Sequence, residues 1–158
     1  MEIKITFNLN NQDVSISADP GSRLLDILRG EFGLKGTKEG CGEGECGACS
    51  VILDGKLVNA CLVAAGSLAG KRVMTIDGFR ETPRFAILDQ AFSDAGAVQC
   101  GFCTPGMIMA AEALLSINPD PDESAIREGI SGNLCRCTGY NMIVDAIDIA
   151  AKRGKGIW

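Results

Sequence analysis

Residues 40–49 read Gly40-Cys41-Gly42-Glu43-Gly44-Glu45-Cys46-Gly47-Ala48-Cys49. Three cysteines are interleaved with four glycines in ten positions. A run with so little side-chain bulk curls tightly, because glycine accepts positive φ and lets the main chain approach whatever the cysteines hold. Cys61 supplies a fourth thiol and completes the spacing C-x4-C-x2-C-x11-C. The other four cysteines, Cys100, Cys103, Cys135 and Cys137, stand downstream as C-x2-C-x31-C-x-C. No histidine occurs anywhere in the 158 residues.

Four thiolates are a full ligand set for one iron–sulfur cluster, and C-x4-C-x2-C is the plant-type [2Fe–2S] spacing. Two sets of four leave no cysteine spare, so the sequence predicts an electron carrier with two [2Fe–2S] clusters. In the curled loop, backbone N–H groups can point at the sulfurs and help to set the reduction potential. Zinc is the competing metal, since four thiolates bind it well and C-x2-C pairs are typical of zinc sites; a C-x4-C-x2-C triplet is not a zinc-knuckle arrangement. The missing histidine excludes a Rieske centre, a Cys2His2 finger and any Ser-His-Asp or Cys-His catalytic site. Gly42, Gly44 and Gly47 match G-x-G-x-x-G, but Glu43 and Glu45 would repel a pyrophosphate and no βαβ unit surrounds them. Cys46–Cys49 and Cys100–Cys103 each have the spacing of a redox dithiol, yet the βαβ context of thioredoxin chemistry is absent. In the second set, Cys103 precedes a helix start at Thr104-Pro105 and Cys137 precedes one at Thr138. A cluster there is predicted to sit between two helix N-termini, whose partial positive charge favours thiolates.

Hydrophobic residues form 46% of the chain, enough for a core in each half. The net charge of −5 and the lack of a basic stripe argue against nucleic acid as a partner. No apolar run approaches the ~20 residues of a membrane span. The N-terminus alternates like a strand and lacks a signal-peptide h-region. A cytoplasmic location with reduced thiols is therefore expected.

Ile3, Ile5, Phe7 and Leu9 alternate, Asn10-Asn11 breaks the run, and Val14 and Ile16 resume it, which predicts a hairpin. Ser22 is placed to cap a short helix carrying Leu24, Leu25, Ile27 and Leu28. A second hairpin is predicted at Val51–Leu53 and Leu57-Val58, turning at Asp54-Gly55, with a last strand from Val73 to Ile76. Asp77 to Arg84 reads as a polar linker. Beyond it the periodicity is helical over Ala86–Phe92, from Thr104 to Leu115, over Asp122–Ile130 and over Thr138–Ala151. Four helices in so short a stretch predict a small bundle. The expected class is α+β: a β-grasp, ferredoxin-type domain over residues 1–78 and a helical, cluster-binding four-helix domain over 79–158.

Three segments, GCGEGECGACSVILDG, GAVQCGFCTPGMIM and SGNLCRCTGY, resemble the small iron–sulfur subunits of the molybdenum hydroxylases, the xanthine dehydrogenase family. The similarity runs through nearly the whole chain. The family normally carries threonine after the third cysteine of the first loop, where Ser50 stands here. The resemblance implies one [2Fe–2S] cluster on Cys41, Cys46, Cys49 and Cys61 and another on Cys100, Cys103, Cys135 and Cys137. It implies a large partner subunit holding molybdopterin near the second cluster and a medium one holding FAD near the first, in a dimer of heterotrimers. Electrons then pass from the molybdenum centre through both clusters to the flavin. Gln99 matches a glutamine that hydrogen-bonds the pterin, and Cys137 matches the ligand nearest to it. Because the chain ends at Trp158, the flavin and molybdenum domains are expected on separate chains. Ile157-Trp158 is expected either to be a disordered end or to dock on a partner.

The competing readings are a free-standing ferredoxin, which needs only the first half, and a zinc-stabilised interaction module. Xanthine or another purine is the first expectation for substrate; nicotinate, aldehydes, carbon monoxide and hydroxybenzoyl-CoA serve relatives.

Overall fold

The computed structural model describes all residues, Met1–Trp158. Strand β1 (Ile3–Leu9) pairs antiparallel with β2 (Gln12–Ala18), with Ile5 opposite Ile16 and Phe7 opposite Val14. Asn10 and Asn11 make the turn at φ 51° and 66°. Two successive left-handed residues match the twist of a two-residue hairpin. Strand β3 (Ser50–Leu53) turns through Asp54 and Gly55 into β4 (Lys56–Asn59), as expected. Strand β5 (Arg72–Met74) completes the sheet in the order β2-β1-β5-β3-β4, parallel to β1 and antiparallel to β3.

Ile5, Phe7, Leu9, Val51 and Val73 point from one face of this sheet into a core of 14 buried residues. Helix α1 (Leu24–Gly30) closes that core with Leu24, Leu25, Ile27 and Leu28. Ser22 does not cap α1: the N-cap position is Arg23, with no side-chain bond. Instead Leu24 N–H donates to Val63 O at 2.8 Å, so a neighbouring loop satisfies the helix end.

The last strand is shorter than expected, and Ile76 opens helix α2 (Ile76–Phe79). The cause is Asn10, whose Oδ1 accepts from Thr75 N–H at 2.8 Å and whose Nδ2 donates to Thr75 Oγ1 at 3.0 Å. That capture takes Thr75 out of the ladder. The expected linker is therefore structured: α2 is followed at once by α3 (Pro83–Asp94). Pro83 is no breaker here. It occupies the first helical turn, behind Thr82, whose hydroxyl accepts from Phe85 N–H at 3.2 Å.

Helices α4 (Thr104–Ile117), α5 (Glu123–Gly129) and α6 (Asn141–Arg153) follow. Asp122 caps α5 by accepting from Ala125 N–H at 2.8 Å. The cap of α4 is Cys103 rather than Thr104. Helix α6 starts three residues later than expected, because Gly139 and Tyr140 are both left-handed, at φ 66° and 73°. The helices share a core of 20 buried residues, among them Leu88, Phe92, Met107, Leu115, Ile126 and Ile147. Ile76 and Phe79 already belong to this second core. Ile52, Leu57 and Met74 pack on it from the other face of the sheet, so the sheet is covered on both sides.

At the C-terminus Trp158 is tied to the helices while Ile157 stays exposed. Trp158 Nε1–H donates to Glu112 Oε2 at 2.7 Å, and Arg84 holds Glu112 Oε1 at 2.8 Å. No helix is long and apolar enough to cross a membrane.

Candidate metal centres

The first loop hangs between α1 and β3, and hydrogen bonds wrap it round its own sulfurs. Cys41 Sγ accepts from Glu43 N–H at 3.4 Å and Glu45 N–H at 3.3 Å, and Cys46 Sγ accepts from Cys41 N–H at 3.3 Å. These donors exist because the chain folds back on itself, with Gly42 at φ 73° and Gly44 at φ 81°. Gly40 is needed for space: a Cβ there would fall 2.7 Å from Cys46 Sγ. The backbone N–H of Glu43, and then those of Glu45 and Cys46, lower the Cys41 thiol to about 7. Cys49 and Cys61 lie deeper, at the entry to β3 and in a short 3₁₀ turn after β4, and both are buried. Burial pushes the Cys49 thiol up.

The thiols of the first set fall into two neighbouring pairs, Cys41 with Cys46 and Cys49 with Cys61, and Cys46 also faces Cys49. The second set repeats the pattern with Cys103 against Cys135 and Cys100 against Cys137. A two-iron cluster takes four thiolates, the number that each set offers.

The second set is built differently. Cys100 and Cys103 lie on the turn into α4; Cys135 and Cys137 lie on the loop before α6. Cys103 caps α4, but Cys137 stands four residues ahead of α6, so only one helix N-terminus faces this site. Here a side-chain hydroxyl joins the backbone donors. Thr138 Oγ1–H donates to Cys135 Sγ at 3.1 Å. The Tyr140 phenol oxygen accepts from Cys135 N–H at 2.9 Å, which explains why a non-glycine residue is held left-handed there. Burial, and then the neighbouring Cys135 thiol, pushes the Cys103 thiol up to about 12. Such a thiol keeps its proton until a metal replaces it.

Cys100, Cys103, Cys135 and Cys137 line an open depression of about 370 Å³ together with Phe102, Leu134, Arg136 and Tyr140. Its surroundings are apolar and exposed: Val98 is 45% accessible, Phe102 47% and Leu134 56%. Gln99 is exposed beside Cys100.

The two loops touch. Leu134 N–H donates to Cys46 O at 2.9 Å, a main-chain bond from a residue of the first set to the neighbour of Cys135. The buried Asn133 reaches Gly47 O and Ser50 Oγ from the same side. Thr138, Tyr140, Ser50 and Asn133 were not singled out as site residues from the sequence. The available signal was position alone, since each stands within three to five residues of a cysteine or directly beside one.

Comparison with known proteins agrees with these two centres. The family model for a 2Fe-2S iron-sulfur cluster binding domain matches residues 7–71, and that for a [2Fe-2S] binding domain matches residues 75–148. The nicotinate dehydrogenase small FeS subunit of Eubacterium barkeri is 51% identical over 152 residues, covering 96% of this chain and 97% of that one. The xanthine dehydrogenase iron-sulfur-binding subunit of Escherichia coli is 44% identical over 150 residues, covering 92% of each. The crystal structure of quinoline 2-oxidoreductase from Pseudomonas putida 86 contains a chain that superposes with a TM-score of 0.89 at 39% identity, covering 97% of this chain and 98% of that one. Two cluster-binding domains mean two [2Fe–2S] clusters. The chain belongs to the small [2Fe–2S] iron–sulfur subunits of the molybdenum hydroxylase (xanthine dehydrogenase) family, the electron-transferring and non-catalytic components of oxidoreductase complexes.

Proposed function

We propose that Cys41, Cys46, Cys49 and Cys61 hold one cluster, that Cys100, Cys103, Cys135 and Cys137 hold the other, and that the chain relays electrons between them inside a three-subunit complex. The observations that carry this are the backbone N–H groups aimed at Cys41 and Cys46 Sγ, the depression lined by all four cysteines of the second set, and the Cys46 O to Leu134 N–H bond joining the two loops. When bound, each cluster supplies one-electron chemistry. The chain's own residues orient the sulfurs, donate hydrogen bonds to them and keep bulk water from Cys49 and Cys61.

In this reading residues 1–78 form a β-grasp domain and 79–158 a four-helix domain, with Ile76 already anchored in the helical core. The apolar rim of Val98, Phe102 and Leu134 seats a large molybdopterin-binding subunit; Gln99 hydrogen-bonds the pterin and Cys137 is the ligand nearest to it. A medium FAD-binding subunit docks near the first set. The assembly is a cytoplasmic dimer of heterotrimers. The relatives named above carry nicotinate, xanthine and quinoline in their names, all nitrogen heterocycles. That favours a nitrogen heterocycle, a purine such as xanthine or a pyridine such as nicotinate, as substrate of the complex.

The test is reconstitution. The isolated chain, assayed with xanthine, nicotinate and an aldehyde against an artificial electron acceptor, hydroxylates nothing. Activity appears when the molybdopterin subunit is added. Gln99→Ala slows turnover in the complex and leaves both clusters assembled. Hydroxylation by the isolated chain overturns the relay, and unaltered turnover of Gln99→Ala overturns the pterin contact.

A further inference from the structure

We propose that Asn133 is a positioning residue that fixes the distance between the two clusters and so sets the coupling between their electrons; this rests on the ligand reading above. Asn133 is only 4% accessible. Its Nδ2 donates to Gly47 O at 3.0 Å and to Ser50 Oγ at 3.1 Å, using both amide protons. The Ser50 hydroxyl donates in turn to Gly47 O at 2.7 Å. Asn133 Nδ2, Gly47 O and Ser50 Oγ thereby satisfy one another in a seam that has no room for anything larger.

Three glycines line that seam. A Cβ on Gly47 would fall 2.4 Å from Gly132 O, and one on Gly106 would fall 2.5 Å from Gly47 O. Each strand of the seam carries ligands: Gly47 lies between Cys46 and Cys49, Gly106 follows Cys103 in the first turn of α4, and Gly132-Asn133 leads to Cys135. The amide therefore grips, from one point, the backbone that places ligands of both sets. It is also adjacent to Leu134, whose N–H makes the bond to Cys46 O.

A residue that served only to glue two halves together would not need this location or this chemistry. An apolar side chain would leave the Gly47 carbonyl and the Ser50 hydroxyl with a donor fewer in a buried seam. The hydroxyl is the part of Ser50 that acts in the seam.

The experiment uses the full chain with both clusters. Dithionite-reduced protein is examined by low-temperature EPR, where two nearby paramagnetic centres split each other's signals with a strength that falls as the cube of their separation. The unaltered chain shows two signals with mutual splitting. Asn133→Asp, which sets a carboxylate oxygen against Gly47 O, keeps about four irons per chain, two per cluster, and loses the splitting. Ser50→Thr keeps the splitting, and Ser50→Ala weakens it. Gly106→Ala, whose Cβ would press on Gly47 O at 2.5 Å and on Asn133 Nδ2 at 3.1 Å from the α4 side while leaving the Asn133 side chain itself in place, loses it as well and decides the matter if Asn133→Asp fails to load iron. A lowered melting temperature with the splitting intact in Asn133→Asp and Gly106→Ala makes Asn133 a stabilising contact and overturns the proposal, as does an unaltered chain with two signals and no splitting. An unaltered chain lacking two signals fails the ligand reading instead.

Discussion

The two thiol sets contain the same four groups in opposite settings. In the first, the backbone does the work: three N–H groups aim at Cys41 and Cys46, and Cys49 and Cys61 are buried. In the second, a threonine hydroxyl and a tyrosine phenol hold Cys135, while Cys100 and Cys137 are exposed in an apolar-rimmed depression. The first set is nearly local in sequence and is shaped by a glycine loop. The second needs α4 and the loop before α6 to meet first. The first set buries two of its thiols and half-buries the others, whereas the second leaves two thiols exposed beside an apolar rim.

The strongest way to break this contrast is to remove one cysteine from each set. Cys49→Ser is expected to remove the first cluster and leave the second, and Cys135→Ser to do the reverse, read by iron content and by the two EPR signals. Binding energy is folding energy at such sites, so Cys135→Ser also loosens the helical half, seen as a lower melting temperature. Loss of both signals in either variant would mean that the sets are not independent.

Gly47→Ala attacks the contact between the halves. Its φ of 69° is left-handed and the new Cβ would meet Gly132 O at 2.4 Å. Left-handed strain alone costs on the order of 1–3 kcal/mol, and the backbone clash adds to it. Thermal unfolding followed by circular dichroism is expected to show a clearly lowered midpoint. A wild-type midpoint would mean that the halves are not held at this point.

Thr138→Val sharpens the contrast most finely. Removing its hydroxyl takes a hydrogen bond from Cys135 Sγ. A donor to sulfur favours the more negative, reduced cluster, so the second potential falls and the first stays put. With a net hydrogen bond worth about 0.5–1.5 kcal/mol and 59 mV per tenfold for a one-electron couple, the drop is about 20–60 mV. EPR-monitored potentiometry measures it; an equal shift of both centres would show that the hydroxyl does not act locally.

Much of this was legible in the sequence, for reasons that differ by element. Both hairpins were, because Asn10-Asn11 and Asp54-Gly55 are turn chemistry between alternating strands. The helical half was legible from its periodicity, but its edges were not. Pro83 and Asp77-Gly78 carry breaker chemistry and yet stand inside or at the head of helices, because Thr82 caps one and Asn10 draws Thr75 out of the sheet. The start of α6 depends on the left-handed Tyr140, held by a bond to Cys135 that no local pattern announces. The thiol sets stood out because residue type and spacing are written in the chain. The seam did not, since Asn133 meets Ser50 and Gly47 across 83 and 86 residues. Long-range hydrogen bonds leave no periodic trace.

The account stands most directly on a redox titration of the isolated chain followed by EPR and iron analysis. It predicts about four irons per chain, two for each cluster, and two reduced signals that appear at different potentials. A single signal, or zinc in place of iron, would contradict it.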